Sequence, residues 1–299
     1  MGRESRSRAK SLSQVVSRFA PSPTGRLHLG HAYSALLAHD YARERGGRFL
    51  LRIEDIDPGR TREEHVAGIV EDLGWLGLSW DGEVLRQSQR LAVYAEALDR
   101  LKGAQLVYPC FCTRSAIAAE IAASASAPHG PDGPIYPGTC RRLTADERAE
   151  RMAEPHAWRL EVARAAAAAG PLYWKDGDTE VQAEPQAFGD VVLARKDAPV
   201  SYHLAVTVDD AAQGVSDVVR GRDLYAATDV HRLLQALLGL PTPLYHHHPL
   251  LTGAEGRRLA KRHGAPSLAD LRDAGADPAA LVAALRTGQM PGGYSALSA

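Results

Sequence analysis

The sequence lacks several features, and each absence narrows what it can be. No apolar run approaches the ~20 residues needed to cross a bilayer, so no transmembrane helix and no membrane partner are expected. Cysteines number only three, an odd count that argues against a disulfide framework and fits a reducing compartment. Neither sign of charge dominates: 35 Lys and Arg stand against 36 Asp and Glu, for a formal net charge of −1. No global field would steer this chain to nucleic acid, so any contact with RNA must come from local patches. The first ten residues are basic and Ser-rich, but no apolar segment follows them. Residues 1–14 therefore read as a flexible tail rather than a secretory signal, and the expected location is cytoplasmic. Neither an internal repeat nor a heptad is visible, and monomer is the default for oligomeric state. A chain of 299 residues suits one large α/β domain, or one such domain carrying an insertion.

The most informative stretch is Arg18-Phe-Ala-Pro-Ser-Pro-Thr-Gly-Arg-Leu-His-Leu-Gly-His31. Apolar Val15, Val16 and Phe19 precede a Pro- and Gly-rich turn, and helical periodicity begins near Gly30. This is a strand, a phosphate-sized loop and a helix N-terminus. The free N–H groups and partial positive charge of a helix start favour an anion. His28 and His31 add two imidazoles three positions apart, on one turn. The stretch therefore reads as a nucleotide phosphate site.

A helix from about Leu29 to Arg45 follows, with Tyr33, Leu36, Leu37 and Tyr41 as its buried stripe and Gly46-Gly47 as its stop. Arg48 to Asp55 reads as a buried strand ending in carboxylates. Strand, helix and strand make a right-handed βαβ unit with a parallel sheet, whose ligands gather at the carboxyl ends of the strands. That places Glu54 beside the opening loop. Helices are expected at about Glu63–Leu76 and Gln89–Leu101, with Trp75 and Trp80 in the core.

All three cysteines fall in one region, Cys110-x-Cys112 and Cys140, separated by an Ala-rich helical stretch and a Pro/Gly loop. Three thiolates would be closed by a fourth ligand around Zn²⁺, and His129, Asp132 and Tyr136 are the candidates, with His129 leading on general ligand statistics. The competing reading is three ordinary reduced cysteines. Arg141, Arg142, Arg148 and Arg151 form a patch that reads equally as an RNA contact or a solvated helix face. From about Trp158 the pattern becomes β-rich. Ser201 to Val208 is a nearly continuous apolar run, expected to be a strand covered on both sides, with Asp209 and Asp210 at its end. Val218–Gly221 repeats the theme with Arg220 at a strand end. A helix follows at about Ala226–Leu238. His246–His248 sit in a short strand and point alternately, which favours a mixed structural role over a metal. Arg257, Arg258, Lys261, Arg262 and His263 form a basic, glycine-flanked loop, and one more helix is expected at about Pro278–Arg286.

Taken in order, these motifs resemble a known family. His28-Leu-Gly-His31 is similar to the "HIGH" signature of class I aminoacyl-tRNA synthetases, and Arg258-Leu-Ala-Lys-Arg262 to their "KMSKS" loop. Arg18-Phe-Ala-Pro-Ser-Pro-Thr-Gly and Arg52-Ile-Glu-Asp-Ile-Asp resemble the catalytic core of the glutamyl and glutaminyl branch. The Cys110-x-Cys112 … Tyr136-x-x-x-Cys140 arrangement resembles the zinc site of the shortened glutamyl-queuosine tRNA(Asp) synthetase family, and the segment after the KMSKS-like loop is too short for an anticodon-binding domain.

The resemblance implies an α/β fold: a Rossmann-like catalytic domain over residues 15–263, a zinc-binding insertion over 105–155, and a short helical C-terminal segment over 264–299. It implies activation of L-glutamate by ATP with Mg²⁺, then transfer to queuosine in the anticodon of tRNA(Asp). His28, Gly30, His31 and Lys261 would contact ATP, with His28, His31 and Lys261 catalytic. Arg18, Phe19, Ala20, Pro21, Ser22, Glu54, Tyr202 and Arg220 would hold glutamate: Arg18, Tyr202 and Arg220 at its side-chain carboxylate, Ser22 and Glu54 at its α-amino end. Structural Zn²⁺ would sit on Cys110, Cys112, Tyr136 and Cys140. Two positions depart from the loop signature, Arg258 for its first lysine and Ala260 for its serine, and this loss of a hydroxyl removes a phosphate hydrogen bond of about 1 kcal/mol. Other readings of the same motifs are a short glutamyl-tRNA synthetase charging the tRNA 3′ end, and a catalytically silent RNA-binding paralogue.

Overall fold

The computed structural model describes residues 14–123, 129–131, 133–252, 266–287 and 295–296. Its first unit is β1 (Val16–Phe19), α1 (Leu29–Glu44) and β2 (Arg48–Ile53), with β1 and β2 paired in parallel from Val16↔Arg48 to Phe19↔Leu51. α1 starts where His28, in extended conformation, caps it. It stops at Gly46, which takes φ +62°, and at Gly47, where a Cβ would lie 2.4 Å from the Val15 carbonyl oxygen. Its buried face is Leu29, Ala32, Tyr33, Leu36 and neighbours, packed on Phe49, Leu51 and Ile53 of β2. Each large apolar side chain there, such as Leu29 or Leu36, contributes about 1.5–3 kcal/mol by leaving water. α2 (Glu63–Trp75) crosses to β3 (Leu85–Arg86), which extends the parallel sheet beyond β2. Trp75 and Trp80 are only partly buried against this core.

After α3 (Leu91–Gly103) come β4 (Val107–Cys110), α4 (Arg114–Ala123), the hairpin β5 (His129–Gly130) and β6 (Gly133–Pro134), and α5 (Ala145–Arg151). Then follow β7 (Ala157–Leu160), α6 (Val162–Ala169), β8 (Tyr173–Asp176), β9 (Thr179–Gln182) and β10 (Val192–Ala194). β4, β7 and β10 form a separate antiparallel sheet with β7 in the middle. The helix α6 was hidden in the sequence by its alanines, inside a region that otherwise reads as strands.

The run 201–208 is not a strand. Ser201 is the N-cap of α7 (Tyr202–Ala212), and Leu204, Ala205, Val206, Thr207, Val208, Asp209 and Asp210 are all buried. A helix enclosed on every side leaves no apolar-to-polar period, so the run looks the same as a doubly covered strand. The consequence is chemical. Asp209 and Asp210 stand on the inner turns of a helix in the domain's centre, not at the end of a strand.

β11 (Asp217–Gly221), α8 (Ala227–Leu238) and β12 (Leu244–His248) complete the main sheet, with β11 and β12 parallel and β8 and β9 beyond them. Ser216 joins the two halves: its N–H donates to the Val16 carbonyl at 3.0 Å, and its hydroxyl accepts from the Val16 N–H at 2.9 Å. β1 and β11 thereby lie side by side, joining the three-stranded order β3-β2-β1 to the four-stranded order β11-β12-β8-β9. Connections leave β1 and β11 in opposite directions, the place where parallel sheets open a crevice at their carboxyl ends. β13 (Leu251–Thr252), α9 (Leu268–Asp273), α10 (Pro278–Thr287) and β14 (Ser295–Ala296) follow, and α10 packs on α1 with Arg286 paired to Asp40. Among the described residues no helix is long and apolar enough to cross a membrane.

Candidate active site

Both ends of the opening loop converge on that crevice. His28 Nδ1 accepts the Gly30 N–H at 3.1 Å, and His31 Nδ1 accepts the His28 N–H at 3.2 Å, so two histidines cap one helix reciprocally. Their rings lie 3.8 Å apart, centroid to centroid. With Nδ1 of each neutral ring occupied as an acceptor, the proton resides on Nε2. Both rings can therefore donate Nε2–H to an oxyanion beside the helix N-terminus.

Glu54 is placed by the end of β2, where its N–H donates to the Pro21 carbonyl at 3.0 Å. That bond holds the strand end against the loop carrying Ser22. Burial pushes the Glu54 carboxyl up, against the opposing pull of Arg52 and Arg18. Arg18 pairs with Asp210 of α7, Nε to Oδ1 at 3.0 Å and Nη2 to Oδ2 at 3.3 Å. Arg52 donates to the same Asp210 at 2.8 Å. Burial alone would raise the Asp210 pKa, but Arg18 and Arg52 outweigh it and hold the carboxyl below its ordinary value.

Arg220, at the end of β11, is held differently. Its Nη2 donates to the Leu224 carbonyl at 3.0 Å and to Thr228 Oγ1 at 2.6 Å; Nε donates to His247 Nε2 at 3.1 Å and Nη1 faces His231 Nδ1 at 3.3 Å. Burial, reinforced by the Arg220 charge, pushes His247 down to about 4 and His231 well below its usual value, so both rings are neutral. No carboxylate among the described residues pairs with Arg220. Tyr202 opens α7 alongside, its phenol pushed up to about 12 by burial and therefore an O–H donor at neutral pH.

These groups line one cavity of about 650 Å³: Arg18, Phe19, Ala20, Pro21, Ser22, His28, Gly30, His31, Glu54, Tyr202 and Arg220 are all on its wall. A second cavity of about 790 Å³ shares Ser22, Glu54 and Tyr202 with it and runs on to Cys112, Tyr136, Arg195 and Lys196. Lys261 and the rest of the basic loop lie outside the described residues. The chain enters that loop after Leu251, on the cavity wall, and leaves it at Ser267, which bridges to His28.

The thiols of Cys110, Cys112 and Cys140 lie within 4.8 Å of one another. Tyr136 Oη stands 3.5 Å from Cys110 Sγ and from Cys112 Sγ. Ideal tetrahedral Zn²⁺ with ordinary bond lengths sets a sulfur-to-oxygen edge of about 3.5 Å, so this donor set fits the ion. His129 is on β5, and the donor cluster among the described residues contains no histidine; Asp132 lies outside them. The neighbouring arginines are engaged internally. Arg141 pairs with buried Asp190 at 2.8 Å, Arg148 donates to the Arg141 carbonyl at 2.7 Å, Arg151 pairs with Glu154 at 2.9 Å, and Arg142 donates to the Pro137 carbonyl at 3.2 Å.

Sequence reasoning did not single out Arg52, Asp176, Asp210, His231 or His247 as parts of this site. For Asp210 and His247 the sequence carries a signal, in the acid pair and the histidine run, but their partners are distant in sequence.

The family profile described as tRNA synthetases class I (E and Q), catalytic domain, matches residues 14–295. The chain is 51% identical over 273 residues to a glutamyl-Q tRNA(Asp) synthetase of Rhodobacter capsulatus, covering 89% of this chain and 97% of that protein. It is 46% identical over 286 residues to one from Symbiobacterium thermophilum, covering 90% and 84%. Among solved structures it is similar to the glutamate-tRNA synthetase of Elizabethkingia anophelis, with a TM-score of 0.77, 26% identity and 92% of this chain covered. The chain spans 61% of the length of that structure.

Proposed function

Since this chain belongs to the family of class I tRNA synthetase catalytic domains for glutamate and glutamine, and within it to the glutamyl-Q tRNA(Asp) synthetases, we propose that it activates L-glutamate with ATP to glutamyl-adenylate without tRNA and then transfers the glutamyl group to queuosine in the anticodon of tRNA(Asp). The observation that carries this reading is the meeting, in one cavity, of a two-histidine helix cap and a guanidinium with no carboxylate partner among the described residues.

Activation requires little acid–base chemistry, because the attacking α-carboxylate is already ionised. Catalysis then rests on positioning and on donors aimed at charge that grows on the phosphates. His28 and His31 supply Nε2–H groups to the phosphates, Lys261 meets the leaving pyrophosphate, and each well-aimed donor supplies on the order of 3 kcal/mol. Mg²⁺ arrives with ATP. Arg220 and the Tyr202 hydroxyl receive the side-chain carboxylate of glutamate, with Arg18 beside them already half-neutralised by Asp210. A carboxylate accepts from a guanidinium fork; an amide would turn N–H groups toward it, so glutamine binds poorly. Ser22 and the Glu54 carboxylate hold the α-amino end, with Phe19, Ala20 and Pro21 forming the loop wall. Zn²⁺, held by Cys110, Cys112, Tyr136 and Cys140, would join β4 to the turn at 139–142 as a structural ion.

Glutamate-dependent ATP–pyrophosphate exchange without tRNA tests the activation step; its absence would refute the reading. Transfer is tested with tRNA(Asp) carrying or lacking queuosine. Labelled product only on the queuosine form, at the anticodon, is expected. Label at the 3′ end would instead mark a short glutamyl-tRNA synthetase.

A further inference from the structure

Arg220 is aimed by a chain of groups that reaches β8, two strands away in the sheet. Its Nε donates to His247 Nε2 at 3.1 Å. That nitrogen must then be unprotonated, which places the ring proton on Nδ1. Asp176, the last residue of β8, lies in the right place to demand this tautomer. Its Oδ1 is 3.1 Å from His247 Nδ1 and also accepts the His247 backbone N–H at 3.0 Å. The ring itself has no freedom to turn: its side chain is fully buried, stacked parallel to Tyr245 and edge-on to Trp174 and Tyr225. On the other side of Arg220, His231 Nδ1 faces Nη1 and His231 Nε2 meets His203 Nδ1 at 3.2 Å.

We propose that Asp176 is a positioning residue for substrate selection, fixing through the tautomer of His247 the direction in which Arg220 presents its guanidinium. This rests on the reading of Arg220 as the partner of the glutamate side chain. Asp176 is absent from the wall of the cavity that holds Arg220, so it acts through His247. A carboxylate placed directly on Arg220 would fix the guanidinium equally well but would cancel the charge that recognises the substrate. Interposing a neutral imidazole keeps the orientation and leaves the charge for the ligand. The same task is performed at metal sites by carboxylates that fix a ligating histidine's tautomer.

The test is ATP–pyrophosphate exchange by the full chain with Asp176→Ala, Asp176→Asn, His247→Leu and the double variant Asp176→Ala/His247→Leu, alongside thermal unfolding of each. Asp176→Ala is expected to raise the glutamate KM about ten- to hundredfold, the range for losing one hydrogen bond to a charged group, while kcat and the ATP KM stay within about twofold. Asp176→Asn keeps an acceptor oxygen and is expected to restore most of the glutamate KM. In the double variant the glutamate KM should equal that of His247→Leu alone, because Asp176 has nothing left to act through. Additive effects, or a parallel decline of kcat and both KM values that follows stability, would overturn the proposal. Glutamate-dependent exchange in the unmodified chain separates this failure from failure of the activation reading.

Discussion

Arg18 and Asp210 meet through two parallel hydrogen bonds, Nε to Oδ1 at 3.0 Å and Nη2 to Oδ2 at 3.3 Å. The pair joins the first loop of the sheet to a helix that arrives far later in the chain, and both side chains are buried. Arg52 uses the same carboxylate. One acid thus serves two arginines, the second of which also meets Glu54, and Arg18 enters the cavity with its charge partly answered.

Asp210→Asn should therefore be costly to fold. It leaves Arg18 buried without its carboxylate partner and Arg52 with Glu54 alone, and a loss of about 3–5 kcal/mol is expected in urea unfolding. The pH dependence follows from the depressed native carboxyl. Its contribution is complete above the unfolded value near ~3.9 and is lost as pH falls through the lower native one. Acid should erase the difference between the wild type and this variant; a difference unchanged at low pH would refute the assignment.

Glu54 gives the opposite sign. Burial raises its carboxyl, so the native state holds that proton more tightly than the unfolded chain does, and the difference becomes a penalty as pH rises through the raised value. Glu54→Gln should unfold at a higher temperature than wild type at neutral pH, with the gain vanishing in acid. The same variant should lose glutamate activation, since no carboxylate remains for the α-ammonium. Full exchange activity in Glu54→Gln would remove it from the glutamate site.

His28 carries two roles that substitution can separate. Asparagine is a good N-cap but has no group in the place of the Nε2–H, so His28→Asn should keep stability within about 0.5 kcal/mol and reduce exchange about a hundredfold. His28→Ala should lose the cap as well, at about 1 kcal/mol. Equal activity for wild type and His28→Asn would show that only the cap matters.

Arg18→Ala and Arg220→Lys should both reduce kcat/KM for glutamate. Lysine keeps the charge at position 220 but cannot reproduce four directed contacts from a planar fork. A loss of about a hundredfold or more, with the ATP KM unchanged, is expected from steady-state exchange. Exchange retained at wild-type level in Arg18→Ala would take that residue out of the glutamate site.

Elemental analysis should find one zinc per chain, lowered in Cys140→Ser, and a chelator should lower the unfolding temperature. Tyr136→Phe should keep the fold near β4 but release zinc at lower chelator concentration. Undiminished stability of metal-free protein would argue for three plain thiols.

Much of the frame was legible without coordinates, for local reasons. The strand–loop–helix at Arg18–His31, the stop at Gly46-Gly47 and the strand of Val218–Gly221 are written in nearest-neighbour spacing and turn residues. The reading failed where burial is complete. Residues 201–208 carry no period because every residue from Leu204 to Val208 is buried, and α6 hides in alanine. Charge partnership was also illegible, because an ion pair leaves no mark on the spacing of its members.

The sequence by itself determined the chemistry available to the opening loop: two imidazoles at a helix start, an arginine ahead of them, and three thiols in one later region. Only the tertiary structure decided how the charges are shared out. Asp210 answers Arg18 because α7, packed on α3 and α8, carries it to Arg18 of β1 and Arg52 of β2, while Arg220 faces neutral rings because β8, α8 and β12 bring Asp176, His231 and His247 around it. Hydrophobic periodicity is a property of neighbours along the chain. Electrostatics is a property of neighbours in space, and the fold alone chooses those.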